Sequence, residues 1–191
     1  KTGKLVIPEE FERLEEFHNG LARAIKDKKW GFVDKSGKFL IEDKYDGAYD
    51  FVNGYARVKL DKRWGLINTK GDVVAEIKYS RLGDLYDGLA YASTGKDYGY
   101  INKSGKWVIE DVFGHANDFN DGIARVRKDK KWGYINKKGK WVIEAKFKDC
   151  EDFSCGFARV RNEKLWGFIN TKGEWAIAPR FEWVTDFHKP D

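Results

Sequence analysis

Aromatic side chains that recur at one spacing are the first candidates for a binding surface in this sequence of 191 residues. Trp107, Trp141 and Trp175 are 34 residues apart, and an indole ring at a surface can stack on a sugar or on a partner protein. The equivalent residues nearer the N-terminus are Phe39 and Val73, so such a surface would be limited to the last three intervals. A position in the core explains the same spacing, and we favour it.

Arginine side chains are the second candidate. They follow the same interval and comprise Arg57, Arg125, Arg127, Arg159 and Arg161. Stacked guanidinium groups can bind phosphates or an acidic polysaccharide. Aspartates of the same interval offer internal pairing as the alternative that we favour: Asp50, Asp84, Asp118, Asp152 and Asp186. Surface pairs contribute only about 0–1 kcal/mol each, so they would set the register of the units more than their stability.

Residues that catalyse reactions or bind metals are few. The histidines, His18, His115 and His188, do not recur beside a nucleophile and a base, and no spacing fits a zinc site. Cys150 and Cys155 allow a disulfide, but we favour free thiols. We therefore expect no catalytic residue, no metal ion and no cofactor, and we do not expect an enzyme.

Composition limits the kinds of partner. The chain has 36 basic and 31 acidic residues, closely interspersed, which favours solubility more than binding to nucleic acid. A hydrophobic share of 41% indicates a folded protein. The apolar runs are only a few residues long, whereas a membrane-spanning helix needs about 20, so we expect no membrane insertion.

The 34-residue interval extends along the whole chain. It is marked by five pairs in which glycine follows an aromatic residue: Trp30-Gly31, Trp64-Gly65, Tyr98-Gly99, Trp132-Gly133 and Trp166-Gly167. The fixed glycines leave no segment long enough for the helices of a tetratricopeptide array. Because a unit of this size cannot bury its own core, we predict one array with shared cores. It comprises a partial repeat over residues 1–19 and full repeats over residues 20–53, 54–87, 88–121, 122–155 and 156–189.

Three strands are predicted in each repeat, and in the fourth full repeat they are strand A (122–127), strand B (132–136) and strand C (140–144). Alternation along strand A places Ala124 and Val126 on one face. Three consecutive apolar residues in strand C indicate a strand covered on both faces. The segment Asn136 to Gly139 is typical of a type I turn closed by a left-handed glycine. From strand C to the next strand A, apolar residues recur every third position, which predicts a helical or 3₁₀ turn.

These features together resemble a known family. The run from Asp129 to Glu144, with the aromatic-Asp connector and the Gly-hydrophobic-Ala-Arg-Val segment, resembles the bacterial WG (KWG) repeats over nearly the whole chain. The resemblance implies β-rich arrays, often attached to other domains, that mediate interactions, and it carries no catalytic residues. We interpret the Trp-Gly pairs as a structural signature whose rings anchor the core. For the location we favour a secreted, periplasmic or cell-surface protein of a bacterium.

One repeat departs from the pattern. Tyr98 stands in place of the signature tryptophan, and Tyr91 and Ser93 replace the arginine and the basic residue of the other repeats. Drift within a tolerant scaffold explains these departures. A repeat that differs from its neighbours is also a place where a binding site can be lodged.

We predict an all-β array of three-stranded antiparallel meanders, arranged as an open or gently superhelical solenoid. A five-bladed propeller-like ring is the alternative. The expected function is a non-enzymatic scaffold for protein–protein interaction. A module that binds glycans or cell-wall polymers through the strand C tryptophans is the alternative. Binding of nucleic acid or another polyanion through the arginines is the weaker alternative.

Overall fold

The computed structural model describes residues 10–185, which form β-strands, turns and loops. The strands are arranged as five four-stranded antiparallel sheets, and each sheet is continuous in sequence. Within residues 10–185 no helix is long and apolar enough to cross a membrane. The prediction of an all-β fold made of repeated β units is confirmed. The terminal strand predicted at residues 4–7, together with Asp186 and His188, lies outside the described residues.

The strands of the first sheet are β1 (Arg13–Leu14), β2 (Ala22–Lys26), β3 (Lys29–Val33) and β4 (Phe39–Tyr45). The second sheet contains β5 (Gly47–Ala48), β6 (Tyr55–Leu60), β7 (Arg63–Asn68) and β8 (Val73–Tyr79). The third contains β9 (Arg81–Leu82), β10 (Leu89–Ser93), β11 (Tyr98–Asn102) and β12 (Trp107–Phe113). The fourth contains β13 (His115–Ala116), β14 (Ile123–Lys128), β15 (Lys131–Asn136) and β16 (Trp141–Phe147). The fifth contains β17 (Asp149–Cys150), β18 (Phe157–Arg161), β19 (Trp166–Asn170) and β20 (Trp175–Phe181).

Each sheet has one strand more than the predicted three. The extra strand is a two-residue segment of the connector, such as β5, which pairs with strand A through Ala48 and Val58. Tyr45, Ala48 and Phe51 are all buried, as their spacing of three indicated. The chain bends at Asp46, between β4 and β5, so a bent extended segment produces the period that we attributed to a helical turn. The prediction of a helical or 3₁₀ connector is therefore wrong for the described residues.

The turns within the sheets follow the local sequence. Asp129 and Lys130 both have positive φ, 49° and 65°, which defines the type I′ turn that matches the twist of a two-residue hairpin. Between strands B and C, Gly139 has a φ of 75°, and the side chain of Asn136 accepts hydrogen bonds from the amides of Lys138 and Lys140. The predicted left-handed glycine is confirmed.

The glycine of the Trp-Gly pair is required by a close approach of two strands. Strand β16 carries extra residues opposite β15, so their register shifts on both sides of Tyr134. A Cβ atom at Gly133 would lie 2.6 Å from the carbonyl oxygen of Ile143 and 2.7 Å from the amide of Ala145. Only glycine fits beside this bulge without displacing the backbone.

The core lies between consecutive sheets. One apolar cluster joins Tyr134, Ile143 and Phe147 of the fourth sheet to Val160 and Ile169 of the fifth. The other interfaces between consecutive sheets have clusters of the same kind. Each sheet therefore depends on its neighbours to bury its apolar face.

Strand C is an edge strand, and its residues alternate between buried and exposed. In β16 Ile143 is 4% exposed while its neighbour Val142 is 36% exposed. Leu40 and Val108, at the equivalent place in the first and third sheets, are more exposed still. The prediction that strand C is covered on both faces is wrong, because no further strand or layer lies over these side chains within residues 10–185.

Candidate functional site

Arginines of strand A join each sheet to the next. The guanidinium of Arg23 in β2 donates from Nε to Oδ1 of Asp50 at 2.6 Å and from Nη2 to Oδ2 at 3.1 Å. Its Nη1 donates to the carbonyl oxygen of Ala48 at 2.8 Å. The short strand and the connector of the following sheet thus form a receptor with three acceptors. A planar guanidinium fits such a forked arrangement of oxygens.

The same receptor recurs along the chain. Arg57 donates to Asp84 and to the carbonyl of Leu82 with distances of 2.6, 3.1 and 2.8 Å. Arg125 donates to the carbonyl of Cys150 and, at 2.6 Å, to Oε2 of Glu151, and its Nε lies 3.0 Å from Oδ1 of Asp152. Arg159 donates to the carbonyl of Val184, and its aspartate equivalent lies beyond the described residues.

Aromatic rings complete each receptor. The guanidinium carbon of Arg23 lies 5.2 Å from the ring centre of Trp30, and that of Arg57 lies 4.0 Å from Tyr49. Cations at these distances are attracted to the face of the ring. The signature tryptophans are half-buried beneath the arginines, so they anchor the contact between sheets.

The third sheet interrupts this series. Tyr91 of β10 occupies the arginine position, and Tyr98 occupies that of the signature tryptophan. A Cβ atom at Gly83 would overlap the ring of Tyr91 and lie 2.7 Å from Oδ1 of Asp118. The equivalent residue in the preceding sheet is Tyr49, so the glycine at position 83 provides the space that the larger ring at position 91 needs.

Asp118 is the carboxylate whose arginine partner is replaced by Tyr91. No cation lies within ion-pair distance of it in the described part of the chain, and its Oδ1 is buried without a hydrogen-bond partner. Burial and the nearby charge of Asp84 raise its pKa from 3.8 to about 6, although Arg57 acts in the opposite direction. Oδ1 of its neighbour Asn117 is also buried and unpartnered. Two side-chain oxygens on consecutive residues therefore lack the donors that buried acceptors normally have.

A cavity of about 360 Å³ opens at this interruption. Its acceptor wall is formed by Ala116, Asn117 and Asp118, and its aromatic wall includes Tyr91 and Tyr98. Ligand pockets typically enclose about 300–1,000 Å³, so this cavity has the size for one side chain or one small group.

His115 and Arg81 also line the cavity. His115 packs between the rings of Tyr98 and Trp132, at 5.3 and 5.4 Å between ring centres. Burial and the charges of Arg127, Arg125 and Arg81 lower the pKa of His115, so its imidazole is neutral at pH 7. Arg81 is exposed at the rim. Oxygen acceptors and nitrogen donors thus line the same cavity.

The three strand C tryptophans lie at the interfaces between sheets. Trp107 packs edge-on against Tyr79 of the preceding sheet, and Trp141 packs in the same way against Phe113. Trp175 has the equivalent contact with Phe147, but it remains 43% exposed. The structure does not bring the three rings onto one exposed surface.

The predicted arginine row is divided by the structure. Arg57, Arg125 and Arg159 serve the receptors described above, whereas Arg127 and Arg161 lie over the rings of Trp132 and Trp166. Of these five arginines, Arg57 is the one that lines the cavity.

The cysteines and the first histidine lie outside the cavity. Cys150 is buried, Cys155 is exposed, and both are free thiols. His18 forms an isolated bridge with Leu21 before strand A. Within residues 10–185 no group of three or more His, Cys, Asp or Glu side chains could hold a metal ion.

Sequence analysis did not select Asn117, Asp118 or Gly83 as site residues. The signal was present, because Tyr91 and Tyr98 mark the irregular repeat. It could not be interpreted without knowing that the arginine of one sheet binds the aspartate of the next.

Solved structures show a similar fold. The chain aligns with Hsv2p of Kluyveromyces lactis, a propeller-like structure, with a TM-score of 0.53 and 12% identity, covering 85% of this chain and 62% of that one. A second structure of Hsv2 from the same yeast gives a TM-score of 0.52 and 12% identity, with 82% and 59% covered. The chain therefore spans less than two thirds of these proteins, and the likeness concerns the fold alone. A search of curated proteins finds no match to this sequence.

A family model matches nearly the whole chain. Six consecutive matches to the WG containing repeat cover residues 1–30, 30–64, 64–96, 98–132, 132–166 and 166–190. Their boundaries fall at the Trp-Gly pairs, whose glycine the close approach of strands B and C requires. The chain belongs to the WG containing repeat family.

Proposed function

We propose that this chain is a non-enzymatic interaction module that binds a segment of a partner protein in the cavity beside Tyr91. The observation that carries the proposal is the coincidence of the cavity with the irregular repeat. Regular repeats fill the same position with their own arginine, so the departure creates the space and leaves acceptors beside it. Aromatic walls with a few polar groups are typical of binding sites.

The proposal includes a propeller-like arrangement, in which the sheets act as blades that present their connectors on one face. It is supported by the four strands in each sheet, the number typical of propeller blades. The fold likeness to Hsv2p supports the same arrangement. It is the alternative given in our prediction from the sequence, and we now prefer it to the open or gently superhelical solenoid.

Binding of a protein is favoured over the two alternatives. Arg57 and Arg125 are engaged with carboxylates of the chain, which leaves them poorly suited to bind a polyanion. Trp107 and Trp141 are packed against the preceding sheets and do not present a stacking surface for sugars.

The experiment is a selection from a displayed library of random peptides on the immobilised protein. The matched control is Tyr91→Arg, which restores the residue of the other repeats and fills the cavity from within. We expect peptides that bind the natural protein and not this variant. The folded state of the variant is checked by its thermal unfolding.

Two results would contradict the proposal. One is a set of peptides that bind both proteins equally. The other is that no peptide is enriched while a soluble glycan binds saturably. That result would favour the alternative function, binding of glycans.

A further inference from the structure

We propose that the cavity beside Tyr91 binds the guanidinium group of an arginine side chain supplied by the partner. The inference rests on the proposed function and names the chemistry of that same site. Its basis is the series of receptors between consecutive sheets, in which one receptor lacks the arginine that the others contain.

Two of the filled receptors have the same hydrogen-bond distances. Arg23 and Arg57 each make the Nε bond at 2.6 Å, the Nη2 bond at 3.1 Å and the Nη1 bond at 2.8 Å. The acceptors are one aspartate and the carbonyl oxygen two residues before it. This local backbone arrangement is therefore a guanidinium site wherever the chain repeats it.

The fourth sheet repeats the acceptors without the arginine. Its short strand β13 pairs with β14 through Ala116 and Val126, as β5 pairs with β6 through Ala48 and Val58. Ala116 and Asp118 consequently occupy the positions of Ala48 and Asp50. The side chain that would fill this receptor from the third sheet is Tyr91, which has no positive charge.

The polar atoms of the cavity favour a donor. Oδ1 of Asp118 and Oδ1 of Asn117 are buried acceptors without a partner, and unpaired buried acceptors are costly to leave unsatisfied. A guanidinium supplies up to five N–H donors in one plane, whereas an ammonium is a compact point charge. In the filled receptor of Arg57 the planar group bonds both oxygens of one carboxylate and a carbonyl oxygen at once, which a single ammonium nitrogen matches less well.

The aromatic residues provide the remaining contacts. The rings of Tyr91 and Tyr98 line the cavity beside the carboxylate, with their centres 6.2 Å apart. In the filled receptors a guanidinium lies over Trp30 or Tyr49 in the same setting. Arg81 and His115 also line the cavity, and their N–H groups can donate to the carbonyl oxygens of the peptide that carries the arginine.

The test compares two small probes, Nα-acetyl-arginine amide and Nα-acetyl-lysine amide, titrated into the natural protein and followed by NMR chemical shifts of the tyrosine rings. We expect saturable binding of the arginine probe with a dissociation constant on the order of 1 mM, and binding of the lysine probe about tenfold weaker. Asp118→Asn keeps the shape of the side chain and should weaken the binding of the arginine probe at least about tenfold. Tyr91→Arg should abolish its binding.

The peptide selection separates this inference from the proposed function. Selected peptides with an arginine at one fixed position, whose binding is lost in Asp118→Asn, would support both. Selected peptides without arginine that bind Asp118→Asn as well as the natural protein would overturn the guanidinium inference and leave the interaction module standing. Saturable binding of the arginine probe without any selected peptide would support the guanidinium site and count against the module.

Discussion

Replacing Asp118 by asparagine should make the protein more stable at neutral pH, although the side chain is half-buried and polar. The carboxylate of Asp118 has no cation at ion-pair distance among the described residues, and it lies near the negative charges of Asp84 and Asp152. Asparagine keeps the shape and removes the charge. The charge of Asp118 therefore lowers the free energy of unfolding of the natural protein, and the variant lacks this effect.

The magnitude follows from the pKa. The shift of Asp118 from 3.8 to about 6 is about two units, and one unit corresponds to about 1.4 kcal/mol. The side chain is partly exposed, so solvent screening reduces the effect to about 1–2 kcal/mol. For a chain of this length that gain raises the Tm by about 2–8 °C.

The gain should depend on pH in a defined direction. Because the pKa of Asp118 is higher in the folded than in the unfolded protein, the cost is complete above about pH 6 and disappears as the pH falls towards 4. Thermal unfolding of both proteins, followed by tryptophan fluorescence at pH 7.5 and pH 4.5, measures the difference. It should be large at the first pH and small at the second.

The matched control is Asp50→Asn, at the equivalent position of the second sheet. Its carboxylate holds Arg23, so this variant should lose about 1 kcal/mol. The reasoning is refuted if Asp118→Asn lowers the Tm at pH 7.5 as Asp50→Asn does. It is equally refuted if the stabilisation is the same at both pH values.

Three further predictions concern other parts of the fold. Tyr91→Arg should raise the free energy of unfolding by about 1–2 kcal/mol in a urea titration, because its guanidinium fills the empty receptor, and an unchanged midpoint would contradict this. Gly133→Ala should lower the stability by about 3 kcal/mol in the same assay, since a Cβ there overlaps the opposite strand, whereas Gly95→Ala, with open space around it, should have little effect. Iodoacetamide at pH 8 should modify Cys155 rapidly and leave Cys150 unmodified until the protein is denatured, because burial raises the pKa of Cys150 to about 12; equal rates by mass spectrometry would contradict this.

The strands and turns were predictable from local patterns. Alternation along strand A placed Ala124 and Val126 on the buried face, and Gly139 has the left-handed conformation that its turn indicated. Such features depend on a few consecutive residues. The short strand at Gly47–Ala48 was missed because a bent extended segment and a helical turn share an apolar period of three.

The candidate site was predictable only in part. Tyr91 and Tyr98 were recognised as departures, but neither residue type indicates by itself what the departure removes. Asp118 looked like one member of a regular row of aspartates. Its environment depends on the residue that the neighbouring sheet supplies, and a single-repeat pattern does not contain that residue.

The sequence by itself determined the repeat, its family, the strands within each unit and the glycines of the turns, because all of these are set by spacing and by local backbone geometry. Only the tertiary structure decided that the strand A arginine equivalent to Arg57 binds the connector of the following sheet, 25 to 27 residues away. That pairing depends on how consecutive sheets pack through their shared cores. It turns the change at Tyr91 into a cavity with an unpaired carboxylate at Asp118.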